Sequence, residues 1–256
     1  MECALLFDIP VAKVTEDEAV AQIVARAKAP RGGRAAFVAT LNVDFVTNAV
    51  RGWPFGGNDE LWGYLRNADL VTADGMPIVL LSRLLRRALP ARVTGADMVP
   101  KICRRAAEEG LSVYVLGGDG EAVEAALGKL NGEGQKLKVA GIDPAFVKLD
   151  EEQPEIVARI NAAKPDILFV ALGNPKQELW MGRNAAKLDA GVMIGVGGTF
   201  NFIAGRVKRA PKWMQKSGLE WVYRIVQEPG RLWKRYAYGL VKFAWLSVRA
   251  LAGGYR

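Results

Sequence analysis

Histidine is absent from this chain of 256 residues. That removes the imidazole general base, the Ser-His-Asp triad and His-based zinc or iron sites together. Cysteine is scarce: Cys3 and Cys103 form no CxxC pair, so no disulfide scaffold is expected and a reducing compartment is the default. No run of about 18 uncharged apolar residues occurs, so no helix is expected to span a membrane. The N-terminal segment sets Glu2 and Asp8 around a short apolar run without a basic start, so no signal peptide is expected. No two aspartates stand two residues apart, which leaves the chain without a DxD pair to hold a metal against a diphosphate.

What is present suits one substantial core or two small ones: 50% of residues are hydrophobic and 24% charged. Charge is uneven. From Gly205 onward twelve basic residues face two acids, whereas the whole chain carries only +8, so residues 1–204 are slightly acidic. Four of the seven tryptophans (Trp213, Trp221, Trp233, Trp245) also fall in this last fifth. The expected division is a catalytic body over 1–204 and a basic, helical appendage over 205–256.

Within the body, short apolar runs at 36–40, 70–72, 112–116, 137–140, 167–171 and 192–196 alternate with helical patterns. Thr15-x-x-Glu18 and Asp150-x-x-Gln153 look like capping boxes. Such alternation predicts an α/β fold: a Rossmann-like, mostly parallel sheet with helices on both faces. Ligands of such sheets bind beyond the carboxyl ends of the strands. Polar residues sit there: Thr40 and Asn42, then Asp74 before Gly75 and Pro77, the turn Gly117-Gly118-Asp119-Gly120, and Gln177 after Gly173. A further turn runs Gly195-Val196-Gly197-Gly198. Singly each has an ordinary reading: Asp74 as a helix cap, Thr40 and Asn42 as turn formers, the glycines as plain βα turns, Arg92 as a solvated loop residue. Together they converge on one crevice. If it holds a sugar nucleotide, transfer needs a base for the acceptor hydroxyl and positive charge for the departing diphosphate. Without a DxD pair that charge falls to arginines, amides and helix N-termini.

The ordered motifs carry a resemblance. Thr40-Leu41-Asn42, Ala73-Asp74-Gly75-Met76-Pro77, Arg92-Val93-Thr94-Gly95-Ala96-Asp97, Leu116-Gly117-Gly118, Gly173-x-Pro175-Lys176-Gln177-Glu178 and Gly195-Val196-Gly197-Gly198-x-Phe200 are followed by Arg209-Ala210-Pro211-x-Trp213, Gly218-Leu219-Glu220-Trp221-x-Tyr223-Arg224 and Glu228-Pro229-x-Arg231-Leu232. Over about residues 5–240 the chain resembles the WecG/TagA/CpsF family of bacterial glycosyltransferases. The resemblance implies an inverting, cofactor-free and metal-independent transfer. The sugar would be an N-acetylmannosamine type or a glucuronic acid, moved from a UDP-sugar donor to a polyprenyl-diphosphate-linked acceptor for cell-surface polysaccharide. By position Asp74 becomes the general base, and Thr40, Asn42 and Gln177 hold the sugar or orient the acceptor. Arg92 sits near the diphosphate, and Gly117, Gly118, Gly195, Gly197 and Gly198 surround the nucleotide. Arg224 and Arg231, with Arg235, come from an appendage that closes over the site. Asn201 and the Asp44-Phe45 pair depart from the family pattern and bear on which sugar is moved.

The last helical pattern, about 230–251, sorts into two stripes. Arg231, Arg235, Tyr238, Lys242, Trp245 and Arg249 share one, and Leu232, Tyr236, Leu240, Phe243 and Leu251 largely share another. The first stripe suits an anionic membrane surface and equally a solvated charged face on a helix packed against the body; the lipid-linked acceptor that the resemblance implies favours the former, a peripheral enzyme on the cytoplasmic face of the cell membrane. A homo-oligomer in which one chain's tail borders another's site is compatible with the sequence. Two alternatives are an oxidoreductase, which lacks the required GxGxxG and downstream acid, and a nucleic-acid-binding module built on the tail. The polar strand ends favour an enzyme with no nucleic-acid partner.

Overall fold

A computed structural model describes residues 1–131 and 136–255, the side chains of Lys216 and Arg231 excepted. The chain opens with an antiparallel hairpin of β1 (Cys3–Leu6) and β2 (Ile9–Ala12). There follow α1 (Glu16–Lys28), β3 (Ala36–Leu41), α2 (Val43–Ala49), α3 (Asp59–Arg66), β4 (Leu70–Ala73) and α4 (Met76–Leu84). Next come α5 (Gly95–Glu108), β5 (Ser112–Gly117), α6 (Gly120–Asn131), β6 (Lys138–Asp143) and α7 (Pro154–Ala163). The body closes with β7 (Ile167–Ala171), α8 (Lys176–Asn184), β8 (Val192–Gly195) and α9 (Thr199–Ala204). The tail is helical: α10 (Lys212–Ser217), α11 (Glu220–Gln227) and α12 (Pro229–Leu251).

Six strands form one parallel sheet in the order β4-β3-β8-β7-β5-β6. Every expected strand is present, its ends moved by three residues at most. The apolar runs make sense because both faces are covered. In β3, Phe37, Ala39 and Leu41 pack on the side of α2, α3, α8 and the hairpin, while Val38 joins the cluster of α1, α5 and α6. All six strands point the same way, so their carboxyl ends, and the residues just past them, gather along one edge.

Local chemistry explains most boundaries, and two expectations need correction. Thr15 and Glu18 do form a capping box at α1. Asp150 does not cap α7: that helix starts later, at Pro154, whose fixed φ suits a first turn, and no side chain caps it. The second correction concerns α12. Its contact stripe runs through Leu232, Lys242, Leu246 and Ala250, all buried, so the basic stripe expected to face a membrane surface is partly turned inward. Lys242 donates from Nζ to the carbonyls of Thr47 and Gly56, and Arg235 pairs with Asp44 at 2.5 Å. Leu251, placed on the apolar stripe, is exposed, as are Trp233, Val241 and Val248. Helical spacing identified the stripes correctly; which of them faces protein depended on carbonyls that α2 and its following loop present.

Candidate active site

Beyond the carboxyl ends of β3, β4, β7 and β8 lies a cleft of about 560 Å³, roofed by α10, α11 and α12. Thr40, Asn42, Asp74, Arg92, Gln177, Gly197, Gly198, Arg224 and Arg235 all line it. Gly117, Gly118 and Gly195 are not among its lining residues. Gly117 and Gly118 have φ of +80° and +81° and serve the sharp exit from β5. A Cβ on Gly117 would stand 2.5 Å from Leu172 Cδ2. Asp119 beside them does reach the cleft, caps the Ala122 N–H at 3.1 Å and pairs with Arg206 at 2.9 Å. The side chain of Arg231 lies outside the described residues.

Asp74 follows β4 directly; its N–H donates to Leu41 O at 2.8 Å and so extends the sheet edge by one residue. The helix-cap reading fails. Gly75, at φ +138°, is the residue before α4, and no side chain caps that helix. Among the described residues the Asp74 carboxylate has no hydrogen-bonded partner. Burial raises its pKa to about 7; Arg92 and Arg209 oppose the rise, while Glu220 and Asp97 add to it. A carboxylate poised there can accept a proton near neutral pH.

Around it stands a web of charge. Arg92 Nη1 donates to Glu220 at 2.9 Å, and its Nη2 donates to Gln215 at 3.0 Å and lies 3.5 Å from Asp97. Arg209 grips Asp97 through both terminal nitrogens, at 2.5 and 3.2 Å. Burial alone would raise the Asp97 carboxyl, but hydrogen bonds from Arg209 and Thr94 outweigh it and hold it below the ordinary value. Arg224 stands elsewhere in the cleft. Its guanidinium lies 5.7 Å from the centre of the Phe202 ring, and its Nε–H, like that of Arg209, is buried without a hydrogen-bond partner. An unmet buried donor costs about 1–3 kcal/mol, more on a charged group, so this position favours an incoming anion.

On the opposite wall Thr40 donates its hydroxyl to Gly195 O at 3.4 Å. Asn42 spends Oδ1 capping α2 through the N–H groups of Asp44 and Phe45, at 3.0 and 3.3 Å. Gln177 stands in the first turn of α8, its Oε1 fixed by the N–H groups of Gly173 and Gly197 at 3.1 and 3.0 Å. Sequence reasoning passed over Asp97, Glu178, Arg209, Gln215 and Glu220. All except Gln215 stood inside the quoted motifs, but nothing local marked Asp97, Arg209, Gln215 and Glu220 as one network, since its members lie up to 128 residues apart.

Residues 4–256 match the glycosyl transferase WecG/TagA/CpsF family. The chain belongs to this family. Among its relatives is the N-acetylglucosaminyldiphosphoundecaprenol N-acetyl-beta-D-mannosaminyltransferase of Bacillus subtilis strain 168, 30% identical over 78% of this chain and 74% of the relative. The protein of the same name from Bacillus spizizenii is 29% identical over 79% of this chain and 75% of its own length. The protein is therefore a glycosyltransferase with the parallel α/β architecture described above. The oxidoreductase and nucleic-acid-binding readings find no support in these matches. Among the described residues no helix is long and apolar enough to cross a membrane. Nor does any group of three His, Cys, Asp or Glu side chains there stand ready to hold a metal ion.

Proposed function

We propose that this glycosyltransferase moves an N-acetylmannosamine-type sugar from a UDP donor onto a polyprenyl-diphosphate-linked N-acetylglucosamine, inverting the anomeric carbon in one displacement. The observation that carries the reading is a raised-pKa carboxylate, Asp74, sharing one cleft with Arg224, whose buried Nε–H lacks a partner. Asp74 takes the proton of the acceptor hydroxyl as that oxygen bonds to the anomeric carbon. The bond from that carbon to the UDP oxygen breaks on the opposite side, and UDP leaves with the electron pair. Arg224 meets the charge that develops on the diphosphate, helped by Arg235 and Arg231 of the same appendage. Thr40, Asn42 and Gln177 orient sugar and acceptor, Arg92 holds the appendage over the diphosphate, and the Gly197-Gly198 turn borders the nucleotide. Residues 1–204 thus supply the base and residues 205–256 the cations, with no metal or cofactor needed for the charge.

The acceptor's lipid keeps it in a bilayer, so the enzyme works at a membrane surface as a peripheral protein on the cytoplasmic face. Exposed Trp53, Trp233, Val241, Trp245 and Val248 support this reading: apolar and aromatic residues on and beside α12 suit the interfacial layer. The deciding assay supplies UDP-N-acetylmannosamine and a polyprenyl-diphosphate N-acetylglucosamine acceptor, and follows UDP release with disaccharide formation. Wild-type protein is expected to turn over, unaffected by EDTA, and Asp74→Asn to lose about 10²–10⁴-fold in rate. Near-normal turnover of folded Asp74→Asn would remove the base from the mechanism.

A further inference from the structure

We propose that Glu178, which does not line the cleft, is a positioning residue that sets the amide of Gln177 for the transfer reaction; this rests on the glycosyltransferase reading above. Glu178 is fully buried, adjacent in sequence to Gln177. Its Oε1 accepts from Gln177 Nε2 at 2.6 Å and its Oε2 from Asn174 Nδ2 at 2.8 Å. Asn174 Oδ1 accepts in turn from Asn48 Nδ2 at 2.6 Å. Gln177 Oε1 already accepts from two backbone N–H groups, those of Gly173 and Gly197. The amide therefore cannot flip without facing donors with donors. Of its two N–H bonds one is held by Glu178, and one remains for the cleft that Gln177 lines.

A buried carboxylate is a costly way to fill space, and packing alone would be served as well by glutamine. Glutamine fails here for a chemical reason. Both neighbours present NH₂ groups to position 178, and only a carboxylate accepts from both. The start of α8 also favours negative charge. Gly195 belongs to the same device: a Cβ there would stand 2.6 Å from Gln177 Nε2 and 2.9 Å from Glu178 Oε1. Its bareness makes room for the pair, not for a nucleotide. Burial pushes the Glu178 carboxyl up to about 7, while the hydrogen bonds from Gln177 and Asn174 resist. Protonation below that pH would cost the network one acceptor.

The test is a double-mutant cycle in the full-length chain: Glu178→Gln, Gln177→Ala and both together, measured as kcat/KM for transfer. Alone, Glu178→Gln is expected to cost about 100-fold, as a misplaced contact does. In the Gln177→Ala background it is expected to cost less than about twofold, because the residue it acts through is gone. Equal losses in both backgrounds would overturn the proposal. The side-chain amide protons of Gln177, observed by NMR, supply a readout independent of turnover. They should be inequivalent and slow to exchange in wild type and lose that protection in Glu178→Gln; unchanged signals would also overturn it. If the wild type transfers no sugar, the functional reading falls while the amide signals still decide the role of Glu178. Should Glu178→Gln not fold, Glu178→Asp, whose carboxylate is withdrawn by one methylene, is read by the same criteria.

Discussion

At Asp74, the proposed function and stability pull in opposite directions. Its carboxyl pKa is raised to about 7 by burial, against an ordinary value of 3.8. A group raised on folding stabilises the protein fully below the unfolded value, and that contribution is lost as pH climbs through the folded one. Asp74→Asn, permanently neutral, should therefore be more stable than wild type at pH 8, by about 1–3 kcal/mol, with the gap closing toward pH 4. Thermal unfolding of both proteins across that range checks it. The same ionisation places an acidic limb near pH 7 in the kcat/KM profile, with activity rising above it; a profile flat from pH 5 to 8 would contradict this. Asp74 was legible in the sequence because Gly75 and Pro77 mark a strand-to-helix turn. Its raised pKa was not legible, since the burial that raises it, and the arginines Arg92 and Arg209 that oppose the rise, arise only through the fold.

At the level of elements, the tail is attached at several points, from the pairing of Arg209 with Asp97 to the hydrogen bond from Trp245 Nε1 to Trp53 O at 2.8 Å. Lys242 is the buried one among them. Lys242→Ala would strand the carbonyls of Thr47 and Gly56 and should destabilise the protein by about 1–3 kcal/mol. Limited proteolysis should then cut within α11 and α12 sooner than in wild type; an unchanged digestion pattern would count against α12 being held there. The N-terminal hairpin escaped the sequence reading for a similar reason. Its turn residues Phe7 and Asp8 lie at φ of +56° and +62°, a conformation usually signalled by Asn-Gly. Phe7 is held there by tertiary packing, edge-on to the rings of Phe243 and Tyr255 at 6.3 and 5.4 Å. Both partners come from the far end of the chain.

For the molecule as a whole, much of the positive charge read from the tail is spent internally. Arg206, Arg209, Arg235 and Lys242 each bind acids or carbonyls of the body. Membrane association should thus depend more on exposed apolar residues than on net charge. Replacing Trp53 and Val248 with serine should reduce co-sedimentation with anionic vesicles more strongly than raising the salt concentration does. A salt effect larger than the serine effect would reverse that order and return the weight to charge.

The six strands of the main sheet, their parallel sense and the polar residues at strand ends followed from the sequence alone; the strand order β4-β3-β8-β7-β5-β6 did not. These depend on local periodicity, turn chemistry and the rule that a parallel sheet gathers its strand ends at one edge. Tertiary structure decided which stripe of α12 faces protein and how Asp97 and Glu220 are spent. Those outcomes depend on hydrogen-bond partners and low-dielectric surroundings supplied by residues distant in the chain, and no local pattern encodes them.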